Sequence, residues 1–338
     1  MLSKLNKLLI ASLLVSTSLS GQAAGFRAVE VIDPGFKPLK VGLWYPSDQA
    51  PPTAPNTEFG LPMATDAPVG QSNGGLILIS HGYSGWYGGH ADTAAALADA
   101  GFIVAAPSHT GNTWSDMSSS IDQWSLDRPR HISRVIDFVL ADATVGSLVD
   151  AGKIGMYGFS AGGFTALGLI GGVPDFNYAA QYCIDQPNEF VCSEGMLEAM
   201  LGAGMAELPE SAWGADSRVK AAAIAAPGFG FAYTRDSLAA VEADVQLWSG
   251  ELDESVPTES NAAVLAERLP ASPETHWIEN ASHFAFMLVA CRDAFKEADP
   301  EEYQLVCGDV EGFDRRAFHA DMHREMVRFF SSSLGLKR

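Results

Sequence analysis

A serine held between two glycines, Gly158-Phe159-Ser160-Ala161-Gly162, is the part of this chain whose residue types and spacing most directly suggest chemistry. Residues 153–172 read KIGMYGFSAGGFTALGLIGG, a short apolar run followed by a run of small residues. The first run predicts a buried strand and the second a helix, so Ser160 falls on the tight turn between them. A turn of that kind needs almost no side chain two residues either side of its centre, and both of those positions are glycine. It also sets the serine at the start of a helix, where free N–H groups and the positive end of the helix dipole favour a developing negative charge. The expected role of Ser160 is therefore that of a nucleophile.

A serine hydroxyl needs a base to take its proton, and the base needs an acid to orient it. After the apolar stretch VQLWSG comes Glu251-Leu252-Asp253-Glu254, and after HWIEN comes Ala281-Ser282-His283-Phe284. Asp253 and His283 are the expected acid and base, with Glu251 and Glu254 as rivals for the acid. The backbone N–H of Ala161 and that of Tyr83, in the loop after GLILIS, are the expected donors to an oxyanion. Trp86, Tyr87, Trp114, Phe159, Phe229 and Phe284 lie on or beside these loops and are candidate walls of an apolar acyl or alcohol pocket.

The other histidines read differently. His81 is expected to shape its loop and His109 to line the pocket. His276 reads as structural. His90 and His131 are expected to start helices and to cap them or face solvent. His319 and His323 stand four apart on one helix, the spacing of a metal pair, but Ala320 follows the first where a metalloprotease has glutamate and no third ligand is evident. A surface helix face is the expectation there, and no metal or cofactor is expected.

The elements that must position these residues alternate. Residues 26–45 predict an antiparallel hairpin turning at Asp33-Pro34-Gly35, and residues 46–73, rich in Pro, Ser, Thr and Asn, a surface loop. The unbroken apolar run at residues 75–80 predicts a strand covered on both faces, and further strands are predicted at 102–106, 219–226, 245–249 and 276–278, with helices over 91–100, 130–141 and 315–330. This predicts an α/β fold, a mostly parallel doubly wound sheet with an antiparallel N-terminal hairpin, in which chemistry gathers at the carboxyl ends of the strands. Residues 173–217 break the rhythm with two cysteines and scattered aromatics, and are expected to form a cap inserted in a single domain over residues 25–338.

Residues 1–24 carry Lys4 and Lys7, an apolar run and then small residues, the pattern of a cleaved export signal. A periplasmic or secreted protein without an integral membrane segment is the expectation. The formal charge of −20 would repel nucleic acid and anionic membranes, so nucleic acid is excluded as a partner. Four cysteines in an oxidising compartment predict two disulfides. Sequence leaves all three pairings open, and low loop-closure cost favours Cys183 with Cys192 and Cys291 with Cys307.

With these residues in view, the chain resembles the dienelactone-hydrolase-like α/β-hydrolases, a group that also holds the platelet-activating-factor acetylhydrolases. The resemblance spans residues 26–330 and rests on SHGYSG, GFIVAAPSHTGN, DRPRHISRVIDF, GFSAGG, GELDESVP and NASHFAF in that order. It implies a triad of Ser160, Asp253 and His283 with Tyr83 and Ala161 as oxyanion donors. Dienelactone hydrolases carry Cys where this chain has Ser160, so that substrate is not implied. The expected activity is serine-dependent hydrolysis of a small-molecule or lipid-like carboxylic ester. A lipase or polyesterase, an exported peptidase and an inactive hydrolase-fold binding protein are the competing readings, separable by a substrate chain-length series and by fluorophosphonate labelling.

Overall fold

The computed structural model describes residues 24–289 and 291–336. The export segment expected over residues 1–24 lies outside the described residues, Ala24 excepted. From there β1 (Gly25–Val31) and β2 (Leu39–Tyr45) form the antiparallel hairpin, with Gly25 opposite Tyr45 and Val31 opposite Leu39. Within the loop that follows, β3 (Ala64–Thr65) adds two residues of pairing beside β1. Next come β4 (Leu76–Ser80), α1 (Ala91–Asp99) and β5 (Ile103–Pro107).

The helix expected to begin at residue 130 begins earlier: α2 spans Ile121–Ala141 with Pro129 inside it. Ser120 and Gln123 cap its start reciprocally, which satisfies N–H groups that would otherwise lack partners. Proline inside a helix costs about 3 kcal/mol. Trp124, Arg128 and Pro129 are all buried, and packing of this first half against the loop after β4 offsets that cost.

Beyond α2 lie β6 (Ile154–Phe159) and α3 (Ala161–Leu169), then α4 (Phe176–Asp185), α5 (Phe190–Ser193) and α6 (Met196–Gly202). The chain then resumes its alternation with β7 (Val219–Ala225), β8 (Asp244–Gly250), α7 (Ala262–Arg268) and β9 (Glu274–Ile278). It ends in α8 (Asp293–Ala298), α9 (Pro300–Cys307) and α10 (Arg315–Ser333). The two disulfides are Cys183–Cys192 and Cys291–Cys307, the pairs that short loops favoured.

The nine strands of the described residues join one sheet in the order β3-β1-β2-β5-β4-β6-β7-β8-β9, parallel from β5 to β9. Alternate residues of the central strand feed opposite cores. Ile154 and Met156 pack with α2, α3 and the 173–217 segment, whereas Tyr157 and Phe159 pack with α1 and α10. Burial on both faces explains why β4, β5 and β6 are apolar without alternation, whereas β9 is the edge of the sheet and leaves Thr275 and Trp277 exposed, contrary to expectation. Parallel pairing brings the carboxyl ends of β4, β6, β7, β8 and β9 to one edge of the sheet. No described helix is long and apolar enough to cross a membrane.

Candidate active site

Ser160 ends β6 with φ 55° and ψ −117°. A non-glycine residue in such a conformation carries about 1–3 kcal/mol of strain, which its surroundings must offset. The Ser160 N–H donates to the Ala225 carbonyl at 2.9 Å, and its own carbonyl accepts from Gly163 at 2.8 Å and Phe164 at 3.2 Å. The flanking glycines are dictated by space. A Cβ on Gly158 would lie 2.2 Å from the Gly162 carbonyl oxygen, and one on Gly162 would lie 1.9 Å from that of Ser80. The glycines let β4, β6 and α3 close around the turn.

His283 opens a short 3-10 turn, His283–Phe286, just past β9. Its Nε2 lies 3.1 Å from Ser160 Oγ and its Nδ1 2.7 Å from Asp253 Oδ2. A carboxylate can only accept here, so Nδ1 carries the hydrogen and Nε2 offers its lone pair to the serine hydroxyl. Asp253 is buried, and its other oxygen accepts the N–H groups of Ser255 at 3.0 Å and Val256 at 2.8 Å. Glu251 and Glu254 are exposed and make no contact with His283 among the described hydrogen bonds. Phe159, immediately before the serine, packs its ring 4.9 Å from that of His283 and supports it from below.

The loop after β4 is anchored by Arg128 of α2, which is fully buried. Its Nη1 donates to the His81 carbonyl at 2.6 Å and its Nη2 to the Gly82 carbonyl at 2.9 Å, with a further bond to Asn112 Oδ1. His81 Nδ1 lies 2.7 Å from the same Gly82 carbonyl, while its Nε2 accepts the His109 N–H at 3.1 Å. No carboxylate pairs with Arg128 among the described residues; its ring contact is Trp124, 5.1 Å away. Burial pushes its pKa down to about 9, which leaves it charged at neutral pH. The Gly82 carbonyl and the Tyr83 N–H belong to one trans peptide and point in opposite directions. Two donors on the carbonyl therefore fix the direction of the Tyr83 N–H, whatever its half-exposed side chain does.

No family model and no curated protein matches the chain. Among solved structures, a ferulic acid esterase from Streptomyces cinnamoneus superposes with a TM-score of 0.57, covering 94% of this chain and 91% of that one at 17% identity. The fold is that of the α/β-hydrolases. In this α/β-hydrolase fold the loops bearing Ser160, Asp253 and His283 follow β6, β8 and β9, in the chain order read from the sequence.

Several histidines depart from their expected places. His131 lies mid-helix and is buried, because α2 starts ten residues before it, and His90 is buried edge-on against Tyr157 and Phe159. His90 does stand at the N-cap position of α1, as expected, but makes no side-chain cap bond, and neither histidine faces solvent. His109 is also buried, with Nε2 2.8 Å from Ser80 Oγ and Nδ1 3.2 Å from His131 Nδ1. His319 is buried rather than on a surface face, and reaches Asp92 and the Ala285 carbonyl. His276 is structural, stacked 3.8 Å from Trp248.

The His81, His109 and His131 cluster makes stability depend on pH. Burial, first, and then nearby cations, Arg128 throughout and Arg130 beside His131, hold all three below the usual imidazole pKa, His131 at about 3. Asp33 lies 3.8 Å from His131. The unfolded chain takes up these protons below pH about 6.5 and the folded one does not, so their contribution to stability is present above that pH and lost as pH falls. Each histidine contributes a slope of about 1.4 kcal/mol per pH unit. Urea unfolding at pH 7, 6 and 5 should show falling stability, and His131→Asn a slope shallower by one proton. A flat profile between pH 7 and 5 would contradict the buried neutral cluster.

The aromatic residues separate into two sets. Trp86, Tyr87 and the exposed Trp114 line a cleft of about 580 Å³ beside the hairpin, together with Glu58, Lys37 and Asp116. Neither Ser160 nor His283 lines it. Phe159 and Phe229 are core residues, the latter packed 5.3 Å from Phe164 beneath the helices of residues 173–217, and Phe284 stands edge-on to His283. That segment is tied to the acid loop's far end, where Glu189 accepts from Ser260 Oγ at 3.1 Å and Asn261 Nδ2 at 3.3 Å.

Proposed function

We propose that the protein is an exported serine esterase that hydrolyses carboxylic esters through an acyl-enzyme on Ser160. The single observation that carries this reading is the unbroken chain from Asp253 through His283 to Ser160 Oγ, with bonds of 2.7 and 3.1 Å. Ser160 Oγ attacks the ester carbonyl while His283 Nε2 takes its proton. The negative charge that develops on the carbonyl oxygen is met by the N–H groups of Ala161 and Tyr83. His283 returns the proton to the leaving alcohol, and a water activated by the same nitrogen then releases the acid. Asp253 keeps the imidazole in the required tautomer and stabilises its cation. Residues 173–217 act as a cap that shapes the acyl side.

The ferulic acid esterase likeness adds weight to an ester substrate, and the order of the sequence motifs favours the dienelactone-hydrolase-like group. Both disulfides suit an exported protein. Esters rank above amides because amide cleavage also requires protonating a poor leaving group. The exposed Trp114 on its cleft favours a polyesterase as the second reading, tested by comparing short p-nitrophenyl esters with longer chains. The acyl-enzyme itself is tested with a fluorophosphonate probe. Labelling should abolish ester turnover and place the adduct on Ser160. A fully active protein with no adduct, or one on another residue, would end this account.

A further inference from the structure

Behind the base loop, on the α1 and α10 side of the sheet, three side chains meet that the esterase chemistry does not use. Asp92 stands in the first turn of α1, and His319 and His323 project from successive turns of α10. His319 Nδ1 lies 2.6 Å from Asp92 Oδ2, and His323 Nε2 lies 3.3 Å from the same oxygen and 3.1 Å from Thr93 Oγ1. The three donor atoms all fall within 4.8 Å of one another. The His319 side chain is 2% exposed, and those of Asp92 and His323 are 16% and 15% exposed, so the cluster is shielded but has a way in from solvent.

Hydrogen placement decides what such a cluster requires. His319 Nε2 is 2.9 Å from the Ala285 carbonyl, which can only accept, so that nitrogen carries the hydrogen. The lone pair of a neutral ring at Nδ1 then faces a carboxylate oxygen directly, and a cation must sit between them. A proton would serve that pair alone. A metal ion would serve Nδ1, Oδ2 and the His323 nitrogen together, and an imidazole whose second N–H is held by a backbone carbonyl is the usual support for a metal ligand.

We propose that Asp92, His319 and His323 form a Zn²⁺ site that ties α1 and α10 to the turn bearing His283. Two imidazoles and a carboxylate suit Zn²⁺, with the fourth position open to water. Bonds of 2.0–2.1 Å set donors about 3.3 Å apart in a tetrahedron, so the His323 to Asp92 spacing already fits and the His319 to Asp92 spacing must open by about 0.7 Å. Since His319 holds Ala285, two residues beyond His283, the ion would brace the base loop without touching substrate.

The experiment is calorimetric titration of the full chain with Zn²⁺ after EDTA treatment and dialysis, read together with thermal unfolding. One equivalent should bind and raise the melting temperature. His323→Asn leaves the Asp92–His319 pair in place and should weaken binding by at least about tenfold. His276→Asn, which alters another imidazole paired with a carboxylate, should bind as the parent does. Absence of stoichiometric binding would mean that a proton alone fills the cluster and would overturn the proposal. So would Zn²⁺ binding that survives in His323→Asn or disappears in His276→Asn. None of these readouts depends on esterase activity, so the site and the esterase reading can fail separately.

Discussion

Ser160→Ala is expected to lower kcat on short p-nitrophenyl esters by on the order of 10⁴-fold or more while the protein stays folded. The size follows from the unit that the serine completes. With no hydroxyl, His283 Nε2 has no proton to take, and only substrate binding and the oxyanion donors remain to favour hydrolysis by water. His283→Ala removes the same step from the other side, so the double variant should be scarcely slower than either single one. Additive losses would instead mean that the two residues act separately, and undiminished activity in Ser160→Ala would exclude the mechanism. Stability offers a second reading of the same residue. At φ 55° a Cβ is strained whether it belongs to serine or alanine, so Ser160→Gly should melt above Ser160→Ala and be equally inactive.

Those residues were legible because each stands on a local pattern with a physical meaning. The glycines around Ser160 reflect backbone atoms that approach within 2.2 Å of where a Cβ would be, and unbroken apolar runs reflect strands buried on both faces. Asp253 and His283 each follow a strand in the order expected for an acid and a base, and the structure brings both into one hydrogen-bonded chain with Ser160. The start of α2 was missed since Pro129 reads locally as a helix breaker, although Ser120 and Gln123 already spelled a capping box upstream. The histidines were harder still. His319 finds its partner Asp92 across 227 residues of sequence, and His109 and His131 meet only because β5 and α2 pack together. No local period encodes such contacts, so an imidazole on a helix reads as surface until the opposite element is placed. Phe159 and Phe229, expected as pocket walls, lie in the core for a related reason: proximity in sequence to the loops bearing Ser160, Asp253 and His283 does not set which way a ring packs.

Arg128 precedes the helix expected from residue 130 and draws no role from the sequence, and its substitution carries the second large expectation. Arg128→Lys should lower kcat by on the order of 10²-fold, the scale of losing one oxyanion donor, with KM nearly unchanged. Lysine keeps the charge but is a single point donor, whereas the guanidinium spans the His81 and Gly82 carbonyls and Asn112 at once. With His81 Nδ1 left as the other donor to the Gly82 carbonyl, the peptide between Gly82 and Tyr83 is held less firmly, and on the proposed mechanism its N–H meets the oxyanion less well. On the proposed mechanism Arg128 is a positioning residue, and melting temperature alone would not distinguish it from a structural one. The distinguishing measurement is affinity for a trifluoromethyl ketone or boronate, whose adduct on Ser160 carries the oxyanion charge. That affinity should fall in parallel with kcat/KM, while KM for substrate stays put. In Arg128→Gly, added guanidinium should restore part of kcat at concentrations too low to unfold the protein. A variant that melts earlier but retains full kcat and full affinity for the analogue would show that Arg128 supports the fold and not the direction of the Tyr83 N–H.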